Sequence, residues 1–157
     1  MAEYRLSATT VVDAPARAVF AVLADPGKHP AIDGTGWVER ALDDEPLRAV
    51  GQIFRMRMYH PNHPDGTYEM ANQVRELVPP RSISWAPGYH DDDGALHFGG
   101  WTWRYDLVPA GRGRASVTLT YDWSEVPGPV RDHIGFPPFP PEHLGNSLAR
   151  LAQLAAG

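Results

Sequence analysis

The chain has 157 residues, a formal net charge of −5 at pH 7 and no cysteine. The absence of cysteine excludes disulfides and thiolate catalysis. The net negative charge argues against a nucleic-acid partner, because the phosphates of nucleic acids bind lysine and arginine. The length is that of one domain, which we place at residues 1–157. Neither a signal peptide nor a run long enough for a membrane span is visible, so we expect a cytoplasmic protein.

The first third of the chain predicts a strand, a short helical segment and a second strand. Residues 4–13 alternate between apolar and polar side chains, a period of two that is typical of a half-buried strand. Pro15 then lies in the first turn of a helix, where its missing N–H costs least, and Pro26 ends that helix. Residues 37–42 predict another strand.

Residues 51–60 and 67–78 predict the next hairpin, with residues 61–66 as its loop. One face is charged, at Arg55, Arg57, Glu69 and Arg75, so the opposite face is expected to point inward. A register that sets His60 opposite Tyr68 places four further side chains on this inner face: Met56, Met58, Met70 and Asn72. The methionines are either adaptable cavity lining or ordinary core. The amide of Asn72 needs a buried water, a neighbouring side chain or a ligand as its partner.

A strand at residues 81–86, which contains Trp85, and a long loop at residues 87–100 precede the central hairpin. The hairpin spans residues 99–126 and turns at residues 109–113, where proline and glycine supply the turn chemistry. Its alternation predicts four cross-strand pairs on one face: Leu107 with Val117, Tyr105 with Leu119, Trp103 with Tyr121, and Trp101 with Trp123. Aromatic rings therefore concentrate at the end away from the turn, as in a thick core or in the wall of a pocket.

The C-terminal part predicts a lid and a helix. Residues 126–140 are rich in proline and glycine and do not hold regular structure for long. We expect Phe136 and Phe139 in this segment to point toward a cavity mouth and restrict entry. A helix opens at Pro140-Pro141, and its buried stripe consists of Leu144, Leu148, Leu151 and Ala155.

Hairpins with segregated helices indicate an α+β protein, in which a curved antiparallel sheet of about six or seven strands wraps around the C-terminal helix. The segments VVDAPARAVFAVLADP, IDGTGWV, GGWTWRYDL, VTLTYDWS and HLGNSLARLAQL, in this order, resemble the START/SRPBCC superfamily, and within it the polyketide cyclase/dehydrase-like branch found in actinobacteria. The resemblance implies a helix-grip fold with a deep apolar cavity between the sheet and the C-terminal helix. It also implies that four loops frame the mouth, at residues 31–36, 61–67, 87–100 and 125–140. This branch has no universal catalytic motif, so no catalytic residues carry over.

The side chains expected to line this cavity are Met56, Met58, Met70, Asn72, Trp85, Trp101, Trp103, Tyr121, Trp123, Phe136, Phe139, Leu144 and Leu148. The favoured function is binding of a small hydrophobic molecule, aromatic or polyketide-like, because a few polar groups in an apolar cavity suffice to orient a ligand. The alternative is a polyketide cyclase or dehydratase that uses general acid–base catalysis. A third hypothesis is a protein that binds another macromolecule through an exposed apolar patch. We expect no cofactor, and either a monomer or a homodimer.

All seven histidines fall within or near the mouth segments. His60 and Tyr68 are the candidate catalytic pair, since an imidazole can accept a proton and a phenol can donate one; otherwise they are a satisfied pair in the core. The remaining histidines are interpreted as exposed loop residues. No metal site is expected, because the chain lacks paired ligands at a spacing such as HxxxH.

Overall fold

Alternating apolar side chains build an antiparallel sheet, as the sequence predicts. The computed structural model describes residues 4–32, 38–43, 45–59, 67–129 and 142–156. Its strands are β1 Arg5–Val12, β2 Val38–Ala41, β3 Ile53–Tyr59, β4 Thr67–Val78, β5 Ser82–His90, β6 Leu96–Phe98, β7 Thr102–Pro109 and β8 Ala115–Asp122. Within the described residues the order across the sheet is β1-β8-β7-β5-β4-β3-β2, and β6 pairs with β5.

The described helices are α1 Ala16–Leu23, α2 His29–Ile32 and α3 His143–Ala156, and a 3-10 turn lies at Pro26–Lys28. α3 packs on β1 and β8, and α1 on β7 and β8; we call the face of the sheet that the helices cover the inner face. The predicted stripe of the terminal helix is confirmed, since Leu144, Leu148 and Leu151 are at most 1% exposed. This is the predicted helix-grip arrangement. In the described part of the chain, no helix combines the length and the apolar character that crossing a membrane requires.

The central hairpin, formed by β7 and β8, has the predicted register. Three of the four predicted pairs lie in the ladder: Trp103 with Tyr121, Tyr105 with Leu119, and Leu107 with Val117. The ladder ends at Thr102 and Asp122, so Trp101 and Trp123 lie just beyond it. Gly111 and Gly113 adopt positive φ angles of 94° and 70° in the turn, a conformation that favours glycine.

The hairpin formed by β3 and β4 keeps the predicted face but not the predicted register. Met58 pairs with Tyr68, and Met56 with Met70, so the predicted pairing of His60 with Tyr68 was wrong by two residues. A shift of two leaves every side chain on its face, because side chains alternate with a period of two. Tyr68 therefore shares the inner face with the methionines, whereas His60 lies outside the described residues.

The segment predicted as a long loop at residues 87–100 contains a further hairpin. β5 runs on into this segment and pairs with β6. Asp91 closes the turn between them: one carboxylate oxygen accepts the backbone N–H groups of Asp93 and Ala95, each at 2.9 Å. The other oxygen lies 2.6 Å from Nε2 of His97. The loop prediction was wrong because these polar residues form a tight turn between two strands rather than a long loop.

Candidate ligand-binding site

Aromatic rings from two strands and a helix meet near the start of β7. The ring centroids of Trp103 and Tyr121 are 4.5 Å apart, and Tyr121 lies 5.6 Å from Trp123. His143, the first residue of α3, meets the Trp103 ring edge-on at 5.5 Å. α3 therefore begins against the inner face at this point. Burial raises the pKa of the Tyr121 phenol, which consequently stays protonated at neutral pH.

Part of the inner face is only half-buried. Five such side chains form what we call the accessible patch: Met58, Tyr68, Met70, Trp101 and Trp103. Further along the same strands the inner face is closed, since Phe54 on β3 and Val74 on β4 are 0% exposed. The inner face therefore opens at the end of the sheet where β3 ends and β4 and β7 begin.

Two glycines allow Trp101 to take its place in the accessible patch. The indole lies against Gly99, where an added Cβ would overlap the ring. Gly100 has a φ of 101°, and an added Cβ there would lie 2.5 Å from the carbonyl oxygen of Glu125. Both positions therefore require glycine, one for the ring and one for the close approach of two backbone segments.

Trp85 lies in a packed aromatic cluster. His29 stacks on its ring at a centroid distance of 5.0 Å, Phe54 meets it edge-on at 5.7 Å, and Tyr105 lies at 6.0 Å. Each of these four side chains is at most 9% exposed. The cluster ties α2 to β3, β5 and β7, so Trp85 supports the site from within the core.

Sequence reasoning missed two buried histidines, which it interpreted as exposed loop residues. His29 is 7% exposed and His143 is 5% exposed. Nε2 of His29 donates to the carbonyl oxygen of Leu23 at 2.7 Å. Burial lowers the pKa of His29, and the smaller effects of the Leu23 carbonyl and of Asp25 oppose this shift. The imidazole that stacks on Trp85 is therefore neutral in the folded protein at neutral pH.

The lowered pKa of His29 predicts that acid weakens the fold. Below pH 6.5 the unfolded chain binds a proton at this residue more readily than the folded protein does, so the free energy of unfolding falls as the pH falls. In urea titrations at about pH 7 and about pH 5, we expect His29→Phe to reduce this loss, because it keeps a ring beside Trp85 without a titrating group. His90→Phe, at an exposed position, is the control and should leave the loss unchanged; equal losses in both variants would contradict the prediction.

The predicted cavity residues separate into four groups. Six lie in the packed core: Met56, Trp85, Tyr121, Trp123, Leu144 and Leu148. Four lie in the accessible patch together with Tyr68: Met58, Met70, Trp101 and Trp103. Asn72 is on the inner face and is 6% exposed, while Phe136 and Phe139 lie, like His60, outside the described residues. Contact of these residues with a ligand stays a prediction.

The charged side chains of the strands face the other way. Ion pairs cover the outer face: Arg5 with Asp122, Arg55 with Asp43, Arg57 with Glu39, and Arg104 with both Asp106 and Glu76. The hydrogen bonds from Arg55 lower the pKa of Asp43. Across the described ranges, no three histidine, aspartate or glutamate side chains are placed to hold a metal ion.

A groove of about 620 Å³ lies on the solvent side of α3. Its lining is Ala31, Asn146, Ala149, Arg150, Gln153 and Leu154. These α3 residues are exposed, so the groove is distinct from the space between α3 and the sheet.

Comparison with known proteins agrees with this architecture. The model of the family described as polyketide cyclase / dehydrase and lipid transport matches residues 3–156. The uncharacterized protein Rv0088 of Mycobacterium tuberculosis is 27% identical over 132 residues, which are 84% of this chain and 53% of that protein. The chain thus spans about half the length of the curated relatives that it matches.

Solved structures of low sequence identity share the fold. Protein NE0264 from Nitrosomonas europaea superposes with a TM-score of 0.69 at 19% identity, over 99% of this chain and 96% of that one. Protein CV1439 from Chromobacterium violaceum gives a TM-score of 0.66 at 22% identity, over 98% of both chains.

Proposed function

Because the chain belongs to the polyketide cyclase/dehydrase and lipid transport family, we propose that it binds a small hydrophobic molecule, aromatic or polyketide-like, between the sheet and α3. The accessible patch carries this proposal. Its two indoles, one phenol and two thioethers are half-buried on the face that the helices cover. Ligand sites have this composition, with mainly apolar and aromatic walls and few polar groups.

The side chains of the patch suit a planar ligand. Trp103 is held by the tilted ring of Tyr121 and by the nearly perpendicular ring of His143, so its indole has a fixed orientation for stacking. Met58 and Met70 have flexible thioether chains that adapt to the outline of a ligand. The patch therefore combines a rigid wall with an adjustable one.

A charge placed in the patch tests this proposal. The probe is the neutral fluorophore N-phenylnaphthylamine, whose emission rises in apolar surroundings. We expect Met70→Arg to weaken its binding by at least about tenfold, because the guanidinium and its water occupy the apolar site. Glu69→Arg adds the same side chain one residue away, on the outer face of β4, and should leave the dissociation constant unchanged. Met70→Gln, a milder change, should weaken binding in the same direction. Equal affinity in all three folded variants would overturn the proposal.

A cyclase or dehydratase is the second candidate, favoured by the inward position of Tyr68 beside Met58. A dehydration of a β-hydroxyketone needs a base that removes the proton next to the carbonyl and an acid that assists departure of the hydroxyl as water. His60 is the proposed base and Tyr68 the proposed acid. Tyr68 pairs with Met58 and not with His60 as predicted, so each of the two residues has to be tested separately.

A further inference from the structure

We infer that the site is selective for electrically neutral ligands that carry a carbonyl or hydroxyl group, and that it excludes organic anions. This inference rests on the proposed binding function and specifies the chemical class of its ligand. Two independent observations carry it: the distribution of charge between the two faces of the sheet, and the position of Asn72.

The register places charged side chains on the outer face strand by strand. On β3 and β4, Arg55, Arg57 and Glu69 alternate with the inward Met56 and Met70. The same alternation holds in the centre of the sheet, where Arg104 and Asp106 of β7 flank the inward Tyr105.

Within the described ranges, no lysine, arginine, aspartate or glutamate lies on the inner face of a strand or among the buried residues of α1, α2 and α3. Besides the indole N–H groups, the inward polar groups of the described residues are imidazoles, phenols, hydroxyls and one amide. The described inner face therefore offers an anion no fixed positive charge.

Asn72 is the amide on this face. It is 6% exposed and lies between Phe54 on β3 and Pro87 on β5, neither of which has a polar side chain. Its side chain forms no hydrogen bond with any other described residue, although its polar atoms are not completely enclosed. A buried amide without a protein partner needs one from a ligand or from water, and it can both donate and accept.

These two features discriminate between ligands by charge. An anion that binds against the described inner face loses its hydration without gaining a counter-ion from that face, and burial of an unpaired charge is strongly unfavourable. A neutral carbonyl or hydroxyl group loses less on dehydration and regains a hydrogen bond from the Asn72 amide. The same apolar wall stacks on both kinds of molecule, so charge and not shape separates them.

A pair of probes that differ in one group tests the exclusion of anions. N-phenylnaphthylamine is neutral, and anilinonaphthalene sulfonate has the same ring system with a sulfonate added. We expect the neutral probe to bind at least about tenfold more tightly, as measured by competition, so that only the shared site is compared. Equal affinities would overturn the inference while leaving the proposed binding function intact. If neither probe binds, the binding function itself fails.

A second pair of probes tests Asn72. Acetylnaphthalene carries a carbonyl group that ethylnaphthalene lacks, and we expect the protein to prefer the former by about fivefold, the effect of one net hydrogen bond. Asn72→Leu, which removes the amide and keeps the number and branching of the side-chain heavy atoms, should abolish this preference while ethylnaphthalene still binds. Gln73→Leu removes an amide from the opposite face of the same strand and should retain the preference. A preference that persists in Asn72→Leu would overturn the role of this amide.

Discussion

Replacing Trp85 by alanine is expected to lower the free energy of unfolding by about 3–5 kcal/mol, the range for removing a large aromatic side chain from a core. The indole is 9% exposed and contacts the rings of His29, Phe54 and Tyr105. Its loss leaves a cavity between α2 and three strands that the rigid sheet cannot fill by relaxing. Urea denaturation followed by circular dichroism measures the change.

Trp101→Ala is the matched control for Trp85→Ala. Trp101 is half-buried in the accessible patch, so its removal should cost the fold much less and should instead weaken binding of N-phenylnaphthylamine. If Trp85→Ala costs under about 1 kcal/mol, well below the usual range for such a truncation, the aromatic cluster does not belong to the core. Its indole would then have to be reconsidered as part of the ligand site.

Replacing His60 by alanine is expected to lower kcat by about two to four orders of magnitude if the protein is a dehydratase, since a general base contributes that much. The assay follows the absorbance of the enone formed from a β-hydroxyketone. Tyr68→Phe should also lower kcat, whereas binding of N-phenylnaphthylamine should change little in either variant. His63→Ala, a histidine three positions further on, is the control. Unchanged turnover in His60→Ala would remove it from the mechanism, and a wild-type protein without turnover would leave the binding function alone.

Sequence periodicity was sufficient to predict which residues pair across two strands where the turn between the strands fixed the register. In the central hairpin, glycines at positions 111 and 113 adopt the positive φ angles that a short turn needs, so the pairing of Trp103 with Tyr121 follows from the turn. Between β3 and β4 the connection is longer, and its residues do not specify one register. The alternation of charged and apolar residues was nevertheless enough to assign the inner face correctly. Side chains alternate between the two faces of a strand, so a register shift of two residues does not change the face.

The candidate site was less predictable because it depends on contacts between distant parts of the chain. Nothing near His29 indicates that the ring will stack on Trp85, or near His143 that it will meet Trp103. His143 follows the prolines at which the last helix was predicted to open, and His29 precedes Pro30, but neither local sequence indicates that the ring is buried. The division of the tryptophans into core and accessible patch is equally non-local, since Trp85 and Trp103 are cross-strand neighbours with different exposure.

The pairing of β1 with β8 affects when this protein can fold during its synthesis. β1 forms its ladder with β8, and Arg5 pairs with Asp122, which lies 117 residues further along the chain. During synthesis β1 emerges from the ribosome long before β8 and α3. Its backbone therefore lacks its β8 partner until that strand has been made. Long-range pairing of this kind makes folding slow, and an unpaired strand can associate with other nascent chains. Ser7 and Thr9 are polar and exposed on the outer face of β1. Because they make β1 less apolar, they reduce its association with other nascent chains.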